Sequence, residues 1–164
     1  MTPEFLVAAA IKPALWCLGG FMEPAVDTPM VTRFMTAIAI QESGLTARRQ
    51  MGGGPARSFW QFEPGGVNGV LSHPRTRVQA SRLCEILCYR LTGDEPANVV
   101  SIMTAIEHCD VLAAGFSRLN LWASSYNIPI SEEEGWRAYF GIWRPGKPDR
   151  ERWVGSWAQG QRVV

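Results

Sequence analysis

Glu42 sits on the apolar face of its own helix. Thr28 followed by Pro29 is a helix start, with proline at the first helical position. From there Val31, Phe34, Met35 and Ile38 recur at helical spacing. At about 100° per residue, Glu42 falls near the middle of that stripe, and Gly44 closes the helix. A carboxyl group in poor solvent favours its neutral form, because desolvation penalises the charge. The negative end of the helix dipole pushes the same way. A glutamate that keeps its proton near neutral pH is what general-acid chemistry needs. Glycosidic cleavage is the reaction that most often uses such a group, since the leaving oxygen must be protonated as the bond breaks. The plainer reading is a semi-buried glutamate paired with Arg48, Arg49 or Arg57, or a charge on a frayed last turn.

Other chemistry-bearing residues have less distinctive settings. Glu63 and Asp110 are candidates for a second carboxylate, and each reads equally well as a solvated charge or a helix cap. His73 and His108 have no serine or cysteine nucleophile pattern around them. Of the four cysteines, Cys84 and Cys88 share a helix face that His108-Cys109 could join around zinc. Core thiols are far commoner than such a site, so no metal and no organic cofactor is expected. Cys17 completes the set, and no CxxC pair or secreted disulfide framework is present.

The elements that would position these groups read as helices over roughly 4–18, 29–43, 74–92, 96–108, 110–124 and 132–143. Pro74 and Pro96 suit first turns, Gly93 suits a helix end, and Ser131 to Glu134 form a capping-box sequence. No strand pattern of any length is present. The expected fold is therefore mainly α, a single domain over 1–164, with a helical body to 143 and an irregular tail over 144–164. One long interval, 44–73, breaks the helical rhythm with glycines and three aromatics, Phe59, Trp60 and Phe62. Apolar residues of that size argue that the loop folds down beside something, and long loops in small domains are usually functional.

The bulk numbers fit. The chain has 164 residues, 46% hydrophobic and 19% charged, long enough to bury a real core. A formal net charge of +1 points to neither nucleic acid nor an anionic membrane. The N-terminal apolar run carries Glu4, Lys12 and Pro13 and lacks a basic leading region, so an amphipathic helix is expected there, not a signal peptide or a span. Seven tryptophans suit either sugar stacking or core packing. Trp136, Tyr139, Phe140 and Trp143 follow a core-like helical spacing.

With the loop included, the chain resembles the lysozyme-like superfamily, in its soluble lytic transglycosylase and goose-type lysozyme branch. That pattern has a Glu-Ser pair at a helix end, then a Gly-Ala-x-Gly-Leu-Met-Gln loop element, commonly with a proline three residues later. Here the pair is Glu42-Ser43, the element reads Ala56-Arg57-Ser58-Phe59-Trp60-Gln61, and Pro64 follows. The likeness covers about a quarter of the chain. It implies a lysozyme-like fold with a long loop after the catalytic helix. It implies cleavage of the β-1,4 bond between N-acetylmuramic acid and N-acetylglucosamine in peptidoglycan, as a muramidase or lytic transglycosylase. Glu42 would be the acid and then the base, and Gln61, Ser43, Phe59, Trp60, Glu63 and Gly115 would border the glycan. A transglycosylase needs no second acid, because the substrate's N-acetyl group assists.

Three departures stand out. Ser58 replaces the glycine before the apolar pair, and Trp60 replaces a smaller apolar residue. The family's later Ala-Tyr-Asn element, whose tyrosine lies near the acid, has no clean match. Ala113-Ala114 are followed by Gly115-Phe116, and the one Tyr-Asn pair is Tyr126-Asn127. Gly115 inside a helix costs roughly 1 kcal/mol against alanine, which suggests close approach of another backbone or of substrate. The segment 135–148 is similar to the ends of small virion-associated proteins of tailed bacteriophages. The expected setting is a virion, made in the host cytoplasm and acting on the wall in the periplasm. Its partners would be glycan strands and other virion proteins, with no nucleic acid and no membrane span. The alternatives are a catalytically inactive lysozyme-like virion or tail component, an endolysin, and a helical interaction module.

Overall fold

The computed structural model describes residues 1–22, 27–87 and 98–163. The chain begins with a continuous helical rod. It comprises α1 (Pro3–Leu6), a π-helical turn (Val7–Ile11) and α2 (Lys12–Gly19). Pro13 explains the wide turn. Its ring has no N–H and crowds the carbonyl of Ala9, and the helix absorbs this by letting the Lys12 N–H reach back to the Val7 carbonyl.

The helices that follow are α3 (Pro29–Ser43), α4 (Pro64–Ser72), α5 (Arg77–Ile86), α6 (Val99–His108), α7 (Asp110–Ala123), α8 (Glu132–Trp143) and α9 (Arg150–Gly160). Among the described residues there is no β-strand, only isolated bridges that pair Arg57 with Arg49 and with Phe62. The fold is mainly α, as expected. α3 and α8 span the predicted residues, and α7 ends one residue early. The Thr28 and Ser131 side chains cap α3 and α8 by accepting backbone N–H bonds. Glu134 reaches past Ser131 to accept the N–H of Ile130 at 3.0 Å.

Two helices carry the centre. In α7, every residue from Leu112 to Leu119 is buried, as suits a helix surrounded on all sides. It touches the N-terminal rod and α3 to α6. α3 is buried from Val31 to Gln41 except at Arg33, and packs most extensively against α9. Gly160 of α9 allows that approach: a Cβ there would lie 2.7 Å from the Arg33 carbonyl oxygen and 3.0 Å from Ala37.

Three sequence expectations need correction. The tail is not irregular, because α9 occupies most of it, capped by the Asp149 side chain. Its buried residues Trp153, Ser156, Trp157 and Gly160 follow the i, i+3, i+4, i+7 pattern, which the nearby prolines and glycines mask. The interval 44–73 is not all loop: α4 begins at Pro64, and its glycines hide the helix. α5 begins after Pro74, not at it. The expected continuation of that helix over 88–92, with Cys88, Gly93 and Pro96, lies outside the described residues. α6 is instead capped by Asn98 in a capping box with Ser101.

Gly115 is also reassigned. It is buried in α7, and a Cβ there would lie 2.3 Å from Cδ2 of Leu83 on α5. The close approach is a helix–helix contact, not a substrate contact. Among the described residues no helix is long and apolar enough to cross a membrane.

The α3–α9 contact is testable with two glycines of α9. Gly160→Ala should destabilise by about 1–3 kcal/mol, because the intruded atom is backbone and cannot swing away. A Cβ at Gly155 meets nothing within 4 Å, so Gly155→Ala should stabilise by about 0.5–1 kcal/mol. Urea denaturation of both variants measures the pair.

Candidate active site

Glu42 occupies the last turn of α3, half-buried, on the wall of an open groove of about 1090 Å³. Gly44 stops the helix in a left-handed conformation at φ 58°, and Leu45 follows at φ 56°. Ser43 fixes this bend. Its hydroxyl donates to the Ala39 carbonyl at 2.9 Å and accepts the Leu45 N–H at 3.1 Å.

The arginines that the sequence offered as partners for Glu42 are engaged elsewhere. Arg48 makes two bonds to Asp110, at 2.9 and 2.6 Å. Arg49 and Arg57 both pair with Glu107 at the end of α6, Arg57 at 3.0 Å. These cations hold the Glu107 carboxyl below the usual range, Arg49 foremost.

What meets Glu42 is a tyrosine. The Tyr139 hydroxyl donates to Glu42 Oε1 at 2.6 Å. Its ring is buried and stacks on Trp153 of α9, with centroids 5.0 Å apart and planes 8° from parallel. Burial raises the pKa of Glu42. The Tyr139 bond and the charge of Arg152 oppose that rise, and the charge of Glu63 adds to it. Burial and the neighbouring Glu42 also push the Tyr139 phenol up, so it serves as a hydrogen-bond donor and not as a base.

The loop between α3 and α4 shapes the rest of the groove. Arg57 and Phe62 exchange backbone bonds at 2.9 and 2.8 Å, closing a tight turn around Ser58 to Gln61. Ser58 adopts φ 67° and Gln61 φ 48°, so both stand in the left-handed region that favours glycine. The Ser58 hydroxyl accepts the Trp60 N–H at 3.3 Å, and the Gln61 side chain donates to the Ser58 carbonyl at 2.7 Å.

This geometry divides the residues named from sequence. Glu42, Ser43, Gln61 and Glu63 line the groove. Phe59 and Trp60 do not, because both point into the core. Trp60 is fully buried, with its indole N–H donating to the Met35 carbonyl at 2.9 Å. It pegs the loop to α3 and does not present a face to a ligand. The aromatics that do line the groove are Phe62, Tyr139 and Trp143, with Trp143 beside Phe62 at a centroid distance of 5.9 Å. Its indole N–H donates to the Trp60 carbonyl at 2.9 Å.

Sequence reasoning missed Tyr139 and Arg152. Ala138-Tyr139 was the available signal for the tyrosine, but its helical spacing with Trp136 and Trp143 reads as core. Both readings hold, since the ring is packed and the hydroxyl meets Glu42. Arg152 was hidden in the supposed irregular tail. It bonds the Ile40 carbonyl at 2.9 Å from α9.

Among the described residues no group of three or more His, Cys, Asp and Glu side chains could hold a metal ion. Cys17 and Cys84 are buried and free, and Cys109 is half-buried and free. Comparison of the chain with protein-family models, with curated proteins and with solved structures finds no match.

Two stability measurements test this site. Glu42→Gln keeps an acceptor for Tyr139 and removes the charge. Because the folded pKa of Glu42 is raised above 4.5, its ionisation costs stability as pH climbs through the folded value. The variant should therefore melt above wild type at pH 8, with the gap closing below about pH 4. At Ser58, glycine should cost less than about 1 kcal/mol, since relief of strain offsets the lost Trp60 bond. Ser58→Val should cost about 2 kcal/mol or more, because a β-branched side chain fits φ 67° badly.

Proposed function

We propose that this chain is an enzyme of the glycosidase class that uses a single general acid. Its proposed target is the β-1,4 bond between N-acetylmuramic acid and N-acetylglucosamine in peptidoglycan, cut as a muramidase or a lytic transglycosylase. One observation carries the reading: Glu42 lines an open groove with its pKa raised by burial and Oε1 engaged by Tyr139. The lysozyme-like Glu-Ser and Ala-to-Gln motif supplies the substrate class. The left-handed conformation at Ser58 supports it, since the motif has glycine at that position.

The chemistry follows from the geometry. Oε1 accepts from Tyr139, so the acidic proton resides on Oε2. Glu42 gives it to the glycosidic oxygen as the bond to the sugar breaks. The resulting carboxylate is eased by the Tyr139 bond and the Arg152 charge. It then takes a proton from water in a muramidase, or from the sugar's own C6 hydroxyl in a transglycosylase that forms a 1,6-anhydro product. Trp143 offers an aromatic face in the groove, and Gln61 a side-chain amide. Carriage in a phage particle belongs to the same proposal and rests on the likeness of segment 135–148. Mass spectrometry of purified particles tests it.

Clearing of purified cell walls is the primary test. Wild type should clear them, and Glu42→Gln should be slower by about 10²-fold or more while remaining folded. Equal clearing by both, or none by either, would instead favour a catalytically inactive lysozyme-like virion component. Mass analysis of released muropeptides separates the two reactions, because the anhydro product lacks one water. Activity should fall as pH rises through the pKa of Glu42, where the acid loses its proton. Tyr139→Phe removes a bond that lowers this pKa, so the alkaline limb should move to higher pH. The maximal rate should also drop, by about tenfold, as the carboxyl loses its orientation.

A further inference from the structure

The groove carries more positive charge than the acid chemistry uses. The linker between α8 and α9 contributes Arg144 and Lys147 to its lining. Both are exposed. Among the described residues neither forms an ion pair with a carboxylate, unlike Arg49, which lines the same groove and pairs with Glu107. Asp149 and Glu63 line the same groove without forming an ion pair with either cation, and Asp149 accepts the Arg152 N–H at 2.9 Å as the cap of α9.

Arg144 is placed at a conformational cost. It ends α8 at φ 50°, the left-handed position where helices most often use glycine. Its guanidinium makes only a long 3.4 Å bond to the Gly141 carbonyl. Packing does not require the side chain, and solvation alone would be served by a smaller polar residue. Trp143, its neighbour, lines the same groove.

We infer that Arg144 and Lys147 form a subsite for carboxylates attached to the glycan, namely those of the peptide stems that branch from N-acetylmuramic acid. This rests on the peptidoglycan reading above. On an intact strand the lactyl carboxyl of N-acetylmuramic acid is tied up in the amide bond to its stem, so the free carboxylates beside the sugar chain are those of the stems. The subsite makes the enzyme selective for peptide-bearing strands. Exposed ion pairs are individually weak, so the two together are worth about three- to tenfold in kcat/KM.

The test compares two substrates prepared from the same cell walls, one left intact and one in which the stem carboxylates have been converted to neutral amides by carbodiimide coupling to an amine. Wild type should cut the intact strands about three- to tenfold more efficiently, and the advantage should shrink as salt is raised. In Arg144→Ala/Lys147→Ala the ratio between the two substrates should fall to near one, and in Lys147→Glu it should fall below the wild-type ratio. Because the ratio is internal to each variant, a partly folded preparation does not mimic the result. Equal cutting of both substrates by wild type, or a ratio unmoved in the double variant, overturns this inference and leaves the proposed function standing. Cutting of neither substrate by wild type overturns both.

Discussion

The hydrogen bond from Tyr139 to Glu42 is the constraint that organises this molecule. Glu42 is neither sealed in nor fully solvated: Tyr139 holds one of its oxygens while the side chain lines the groove. The tyrosine is itself held by its stack on Trp153, and Trp153 meets Phe34 of α3 edge-on at 6.3 Å. The contacts thus close a ring from α3 through Glu42, Tyr139 and Trp153 back to α3. Aromatic pairs of this kind add about 0.5–1.5 kcal/mol each beyond their burial, enough to fix a rotamer. The site depends on helices α8 and α9 as much as on the helix that bears the acid.

The loop after α3 is held by a different balance. Its outer edge is tied by Arg48 to Asp110, and by Arg49 and Arg57 to Glu107. Arg48 and Arg49 are well exposed, and pairs of that kind contribute about 0–1 kcal/mol each. The inner edge is held by Trp60, whose burial and whose bonds to Met35 and from Trp143 are harder to give up. Two residues in left-handed conformations are then tolerable, because the peg over-determines the turn. Gln61 faces the groove because Trp60, one residue earlier, must face the core.

Glu42 itself was legible because a charge on an apolar stripe is a local contradiction, visible at helical period. The bounds of α3 and α8 were legible for a similar reason: proline, threonine and serine caps act within four residues. Phe59 and Trp60 were misplaced because composition marks an aromatic as significant without saying which way a turn will aim it. Only the positive φ values at Ser58 and Gln61 settle that, and they are properties of the folded loop. Tyr139 was hidden because its helix spacing truthfully reports a packed ring and is silent about the hydroxyl. α4 and α9 were hidden by glycine and proline, whose local cost was outweighed by tertiary burial of residues such as Val67, Val70 and Trp153.

The groove draws on five separate stretches of chain, and their charges act on Glu42 in opposite directions. Burial and Glu63 favour the protonated acid, whereas Tyr139 and Arg152 favour the carboxylate. A group under only the first pair would hold its proton too tightly to give it up. A group under only the second would have none to give at neutral pH. Arg152 is fixed for its part by the bond to the Ile40 carbonyl, so its charge stays near the end of α3 without closing on the carboxyl as an ion pair. The groups that oppose one another at this carboxyl come from stretches far apart in the chain.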